Sequence, residues 1–99
     1  MLRIERTRNG EGRIFRLIGE LDGGTTRQLE RVVSGPAGDG GDVTLDLAEL
    51  VECDQAGVDS LTVLARRARV AGGRLVFCSA RDEIKIALEQ GNLETQTSP

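Results

Sequence analysis

Length, composition and charge limit what this 99-residue chain can be. Such a length supports one modest hydrophobic core, so we expect a single domain. The net charge of −3 and the 2% aromatic content argue against nucleic-acid binding, which needs a basic field and stacking side chains. The absence of histidine excludes Ser-His and Cys-His nucleophiles and histidine-ligated metal sites.

The N-terminal third predicts two strands and a helix. Residues 2–7, LRIERT, alternate apolar and polar side chains as a half-buried strand does. Asn9-Gly10-Glu11-Gly12 predicts a hairpin turn into a second strand at residues 13–21, RIFRLIGEL. Apolar residues on both faces predict that this strand is buried on both sides, which indicates a place inside the sheet. Thr25 or Thr26 is then predicted to cap a helix whose apolar side is formed by Leu29, Val32 and Val33.

The middle of the chain predicts a strand and a long helix. The glycines of residues 35–41, GPAGDGG, predict a loop that ends the first helix. Residues 43–50, VTLDLAEL, predict a central strand with alternate residues pointing inward: Val43, Leu45 and Leu47. The helix after Asp54 has one apolar face, ends at Ala71-Gly72-Gly73 and buries Val58, Leu61, Leu64, Ala65 and Ala68.

The C-terminal part completes an α/β pattern. Residues 74–79, RLVFCS, predict a strand, and residues 80–91 a short helix that buries Ile84, Ala87 and Leu88. Strands joined through helices after an initial hairpin predict a mixed, mostly parallel β-sheet with about three helices packed against it. We expect one domain at residues 1–93 and a polar, frayed tail at residues 94–99.

Cysteine usage and hydropathy predict the environment of the protein. Cys53 and Cys78 are predicted to be buried, reduced thiols, since two cysteines are too few for a disulfide framework or a zinc site. The N-terminus has no apolar signal run, and no window approaches the ~20 apolar residues of a membrane span. We therefore expect a cytoplasmic protein that does not insert into membranes.

Residues 51–61, VECDQAGVDSL, carry the strongest local signal for a site. In open α/β sheets, function collects where the carboxyl ends of strands meet helix N-termini. Asp54 is placed to cap the helix, a contribution of about 1 kcal/mol. Gly57 and Ala56 permit close packing. Capping and packing alone also account for these residues, so the pattern leaves a purely structural role open.

An enzyme reading finds little support in the residues. The acids available to a paired-carboxylate hydrolase are Glu20, Asp22, Asp46, Glu52, Asp54 and Asp59. Such an enzyme also needs a substrate cleft, which a short chain with few aromatics does not favour. Residues 35–41 lack the Lys-Ser/Thr ending of a phosphate-binding loop. A small hydrolase or transferase is therefore the least favoured hypothesis. We predict no catalytic residues, cofactor or metal.

Three stretches together resemble a known family. They are LIGELDGGTT at residues 17–26, VTLDLAELVECDQAGVDSLTVLARRARVAGGRLVFCS at residues 43–79, and IALEQGNL at residues 86–93. In order and spacing this is similar to the STAS domain of bacterial anti-sigma factor antagonists, over about residues 13–93. The recurring motifs are Gly-Glu-Leu-Asp at 19–22, Asp-x-x-Gly at 54–57 and Gly-Gly-Arg-Leu at 72–75.

The resemblance implies a signalling module that regulates transcription by binding a protein. It also implies that the protein is not an enzyme. Family members dock onto an anti-sigma factor kinase, which phosphorylates a Ser or Thr directly after the Asp of the Asp-x-x-Gly loop and so ends the interaction. A phosphate there adds close to two negative charges at the partner surface. Here that position is Gln55, which has no hydroxyl, so the resemblance implies that this switch is lost. Ser60, Thr62, Thr25 and Thr26 are nearby hydroxyls, but such groups are usually caps or solvated.

Two interpretations follow from Gln55: a permanently binding-competent regulator, or a protein with a different partner. The short C-terminal ending is similar to the small STAS subunits that bind the ATPase of lipid-transport ABC systems, which makes that ATPase the alternative partner. In either case the predicted partner-binding residues are Glu20, Asp22, Thr25, Asp54, Gln55, Ala56, Gly57 and Val58. Asp54 would orient the loop, Ala56 and Gly57 would allow close contact, and Gln55 would hydrogen-bond in place of the hydroxyl.

Overall fold

The computed structural model describes residues 1–7 and 13–93, in which strands and helices follow the predicted order ββαβαβα. The predicted turn at 9–12 and tail at 94–99 lie outside these residues. The elements are β1 (Leu2–Thr7), β2 (Ile14–Leu21), α1 (Thr26–Ala37), β3 (Val43–Cys53), α2 (Gln55–Val70), β4 (Leu75–Cys78) and α3 (Asp82–Gln90).

The four strands form one mixed sheet in the order β1-β2-β3-β4. β1 runs antiparallel to β2, whereas β2, β3 and β4 are mutually parallel. Parallel neighbours need a crossover connection, and α1 and α2 supply the two crossovers. A mostly parallel sheet with three helices confirms the predicted fold class, and β2 lies inside the sheet as its apolar character predicted.

A single hydrophobic core lies between one face of the sheet and the helices. Phe15 and Leu17 of β2 are buried, while Ile14, Arg16 and Ile18 on the opposite face remain partly exposed. The prediction of burial on both faces of β2 is therefore wrong, because the helices contribute their apolar side chains to one face of the sheet. The helix residues in that core are Leu29, Val33, Ala37, Val58, Leu61, Leu64, Ala68, Ile84 and Leu88.

The first helix runs further than the sequence predicted. Residues 35–37 were predicted to start a loop, but α1 continues through Gly35 and Pro36 to Ala37. Ala37 is fully buried, and the Gly38 N–H closes the last turn on the carbonyls of Ser34 and Gly35, at 3.1 and 3.0 Å. Burial of the Ala37 methyl and this closure outweigh the low helix propensity of glycine and proline.

The third strand also runs further, and its extension reaches the predicted site. β3 continues to Cys53, three residues past the predicted end at Leu50, because its last residues pair with β2. Glu20 pairs with Glu52, and Leu21 with Cys53, after two register shifts in the β2–β3 ladder. Both strands therefore end side by side.

Candidate functional site

The carboxyl ends of β2 and β3 bring the predicted partner-binding residues together. The Asp54 N–H donates a hydrogen bond to the Leu21 carbonyl at 3.1 Å, which ties the β3–α2 junction to the turn after β2. The resulting surface is called the loop face below. It consists of Glu20, Asp22, Thr25, Asp54, Gln55 and Ala56, with the buried Gly57 and Val58 directly beneath them.

Asp54 caps α2, as its position in the sequence predicted. Its side-chain carboxylate accepts a hydrogen bond from the Gly57 N–H at 2.9 Å, and its carbonyl accepts one from the Val58 N–H at 2.9 Å. The carboxylate satisfies an amide that has no partner inside the helix, and it lies at the positive end of the helix dipole. The cap therefore holds the first turn of α2 in place, and with it the exposed Gln55.

Close packing under the first turn of α2 requires glycine at position 57. A Cβ placed on Gly57 would lie 2.7 Å from the Leu21 carbonyl oxygen and 3.0 Å from the Cys53 sulfur. Val58 is only 4% exposed and packs where a Cβ on Gly91 would overlap it. Gly57 and Val58 therefore support the loop face from below, while Asp54, Gln55 and Ala56 are exposed on it.

The turn after β2 is held by reciprocal hydrogen bonds between Asp22 and Thr25. The Asp22 N–H donates to Thr25 Oγ1 at 2.9 Å, and the Thr25 hydroxyl donates to the Glu20 carbonyl at 3.0 Å. Asp22 Oδ1 accepts from the Gly24 N–H at 2.9 Å. Thr25 occupies the N-cap position of α1 without a side-chain capping bond, and Thr26 is already the first helical residue, so the expected Thr cap is replaced by a turn lock.

Gln55 has a partner that sequence reasoning did not assign to it. Its side-chain Nε2 donates to Asp59 Oδ1 at 2.8 Å, one helical turn further along α2. Residues four apart on a helix face each other, and Gln-Asp is a favourable pair at that spacing, so the i, i+4 separation was a usable signal. The amide is held on the exposed side of the helix by this bond.

The loop face and its neighbours carry mostly negative charge. Glu20 and Glu52 are register partners on adjacent strands, and Asp22, Asp54 and Asp59 lie close by in the chain. The Met1 ammonium donates to Glu20 Oε1 at 2.7 Å, and this hydrogen bond raises the pKa of the ammonium. A further negative charge on this surface would therefore lie among several acids and be repelled by them.

The two thiols are poor nucleophiles. Burial, and then the charge of Asp54, raises the pKa of Cys53 to about 11. Burial is also the largest cause that raises the pKa of Cys78. Both thiols are free, as predicted, and half-buried at the sheet ends, not fully buried. Since the thiolate is the reactive form, neither cysteine is activated for chemistry at neutral pH.

The described part of the chain offers no metal-binding group. Residues 1–7 and 13–93 contain no cluster of three or more Cys, Asp or Glu side chains arranged to hold an ion. In the same ranges, no helix has the length and apolar character needed to cross a membrane.

Comparisons with known proteins show the family of this chain and a solved structure with a similar fold. No curated protein sequence matches this chain. A solved structure of the anti-sigma factor antagonist SpoIIAA in its unphosphorylated form is similar in fold, with a TM-score of 0.74 over all of this chain and 90% of that one, at 19% sequence identity. The sequence model of the STAS domain matches residues 3–97. The chain therefore belongs to the STAS domain family.

Proposed function

We propose that this STAS domain is a regulatory protein-interaction module, which docks an anti-sigma factor kinase or a similar partner through the loop face. It acts without phosphorylation at Gln55 and catalyses no reaction. The observation that carries the proposal is the position of Gln55. An exposed amide stands at the first residue of α2, next to the Asp54 cap, where the family resemblance implies a phosphorylatable hydroxyl.

The architecture of the loop face supports docking. Its backbone is fixed by the Asp54 cap, the Asp22–Thr25 lock and the close packing of Gly57, so a partner meets a preorganised surface. Preorganisation lowers the ordering cost of association. The likeness to the antagonist SpoIIAA supports the same class of partner.

The chemistry of the loop supports binding over catalysis. Cys53 directly precedes the Asp54 cap, and its raised pKa keeps the thiol protonated at neutral pH. Neither histidine nor a described metal-binding cluster is present to activate water. The exposed acids of the loop face instead supply a charged rim for a protein partner.

A charge substitution at Gln55 tests the proposal directly. Gln55→Glu replaces a donor to Asp59 by a carboxylate, so two acids face each other and negative charge enters the contact, as a phosphate would place it. We expect the variant to lose at least about tenfold of its partner affinity. The measurement is affinity capture of the tagged protein from its native cells, followed by binding titration with the captured partner.

Arg69→Gln provides a matched control, because it makes the net charge equally more negative at the other end of α2. The control should retain wild-type affinity. Capture of a histidine-kinase-like anti-sigma factor that depends on Gln55 supports the proposal. Capture of an ABC transporter ATPase selects the alternative assignment. Equal capture by wild-type protein and Gln55→Glu would contradict docking through the loop face.

A further inference from the structure

A groove lies between α1 and α2 at the end remote from the loop face. The two helices run in the same direction, because each connects two parallel strands. The Ser60 hydroxyl donates to Glu30 Oε2 at 2.9 Å and Arg67 Nε donates to the Ser34 carbonyl at 3.0 Å, which joins them side by side. The groove has a volume of about 450 Å³ and lies near the carboxyl ends of both helices. It is lined by Gly38, Val63, Arg66, Arg67, Val70 and Ala71, and is called the α2 groove below.

Two valines of the α2 groove are exposed to solvent. Val63 is 60% and Val70 is 84% exposed, although valine is usually buried. They are seven residues apart on α2, so they lie on the same side of the helix, two turns from each other. Gly38 leaves room for the Arg67 side chain, since a Cβ at that position would lie 3.1 Å from Arg67 Nε. The α2 groove therefore presents two apolar side chains that the described chain leaves uncovered.

Positive charge surrounds these valines. Arg66 and Arg67 line the groove and Arg69 follows, and within residues 1–7 and 13–93 none of the three forms an ion pair. Cations near a helix C-terminus interact favourably with the helix dipole, which accounts for Arg67 and Arg69 in the last turn. The dipole does not account for the exposed valines on either side of these arginines. In a chain of net charge −3, this is a local basic and apolar surface.

We propose that the α2 groove docks an acidic amphipathic segment of a partner protein. Apolar side chains of that segment cover Val63 and Val70, and its carboxylates pair with Arg66 and Arg67. Charge complementarity selects an acidic partner. The small apolar area and the acidic loop face elsewhere on the molecule favour a peptide segment over an anionic membrane surface.

The second surface is independent of the first. α2 has 16 residues, so its two ends are separated by about 22 Å at 1.5 Å per residue. A partner on the loop face leaves the α2 groove accessible. The domain can therefore join two proteins, a role beyond the docking function proposed above.

The test uses a short fluorescein-labelled synthetic peptide with leucines at helical i, i+3, i+4 and i+7 spacing and glutamates elsewhere. Fluorescence anisotropy measures its affinity for the whole protein, and amide chemical shifts locate the contact. We expect shifts at Gly38, Val63 and Val70, and at least about tenfold weaker binding for Arg66→Glu. Arg27→Glu makes the same charge change in the first turn of α1 and should bind like the wild type.

Other peptides and surfaces give outcomes that overturn the proposal. A peptide with lysines in place of the glutamates that binds equally well would contradict pairing of carboxylates with Arg66 and Arg67. A peptide with alanines in place of the leucines that binds equally well would contradict apolar contact with Val63 and Val70. Absence of binding, or shifts confined to the loop face, refutes the α2 groove as the site. In another outcome, the protein sediments with phosphatidylglycerol vesicles, loses this binding in Arg66→Glu and fails to bind the peptide. That result would overturn the proposal and assign the surface to lipid. Gln55→Glu should leave peptide affinity unchanged, so failure here is separate from failure of the loop-face proposal.

Discussion

At the residue scale, Gln55 and Gly57 have different roles in the loop face. Gln55 is exposed to solvent, and Gly57 is packed beneath the face. Gln55 holds its amide against Asp59 on the outside of α2. Because Gly57, two residues later, has no side chain, the first turn of α2 packs closely against the Leu21 carbonyl. A family motif that reads Asp-x-x-Gly thus combines a cap, an exposed position and a contact that a side chain would obstruct.

Gly57→Ala is expected to destabilise the fold. Its Cβ would meet the Leu21 carbonyl oxygen and the Cys53 sulfur, and overpacking of this kind costs about 1–3 kcal/mol. Alanine returns at most about 1 kcal/mol of helix propensity. We therefore expect a net loss in the free energy of unfolding, measured by urea denaturation.

Gly23→Ala is the matched control for that substitution. Its Cβ would make ordinary contact with the Ala56 methyl at 3.8 Å, so its stability should stay within about 0.5 kcal/mol of the wild type. A Gly57→Ala variant as stable as Gly23→Ala would show that the strand ends adjust freely to a larger residue.

Cys53 should react with alkylating agents only at high pH. Its pKa is raised to about 11 from an ordinary 9.0, so its thiolate fraction keeps rising about tenfold per pH unit beyond pH 9. Iodoacetamide rates, read on the separate tryptic peptides of Cys53 and Cys78, measure this. In urea the Cys53 rate should level off near pH 9, and the same levelling in the native protein would contradict burial of the thiol.

The raised pKa also sets the sign of a stability change. Between pH 9 and 11 the unfolded chain loses the Cys53 proton while the folded chain keeps it. Any stability tied to this thiol is therefore fully present below pH 9 and declines as pH rises through 11.

At the element scale, α2 presents different chemistry at its two ends. Its first turn carries the Asp54 cap and the acidic loop face, and its last turn carries Arg67 and Arg69. Both arrangements stabilise the helix dipole. The middle of the helix is occupied by the core residues Leu61 and Leu64, which hold both ends in position against the sheet.

Asp54→Ala should cost about 1 kcal/mol of unfolding free energy, because the Gly57 N–H loses its acceptor. Asp54→Asn keeps an acceptor without the charge and should recover most of that loss. Urea denaturation of the two variants measures the cap separately from the charge. Equal losses for both would assign the stabilisation to the carboxylate charge.

At the scale of the whole molecule, local patterns predicted the order of the elements, the central position of β2 and the inward residues of β3. Period-two and helical spacings are properties of the chain itself, because a strand or helix must place its apolar side chains on one side. The Asp54 cap was predictable for the same reason, since the capping group and the amide that it binds lie three residues apart.

The remaining features depended on contacts between distant residues. The extension of α1 follows from burial of Ala37, and the one-sided burial of β2 from helices that contribute to one sheet face. Thr25 bonds to the preceding turn instead of capping α1 because the end of β2 lies within its reach. The α2 groove exists because α1 and α2 lie side by side, joined by the Ser34–Arg67 and Glu30–Ser60 contacts. By itself the sequence determined which segments become strands and helices and where α2 begins, because those signals are local; only the tertiary structure decided which faces are covered, because burial depends on what the rest of the chain places against them.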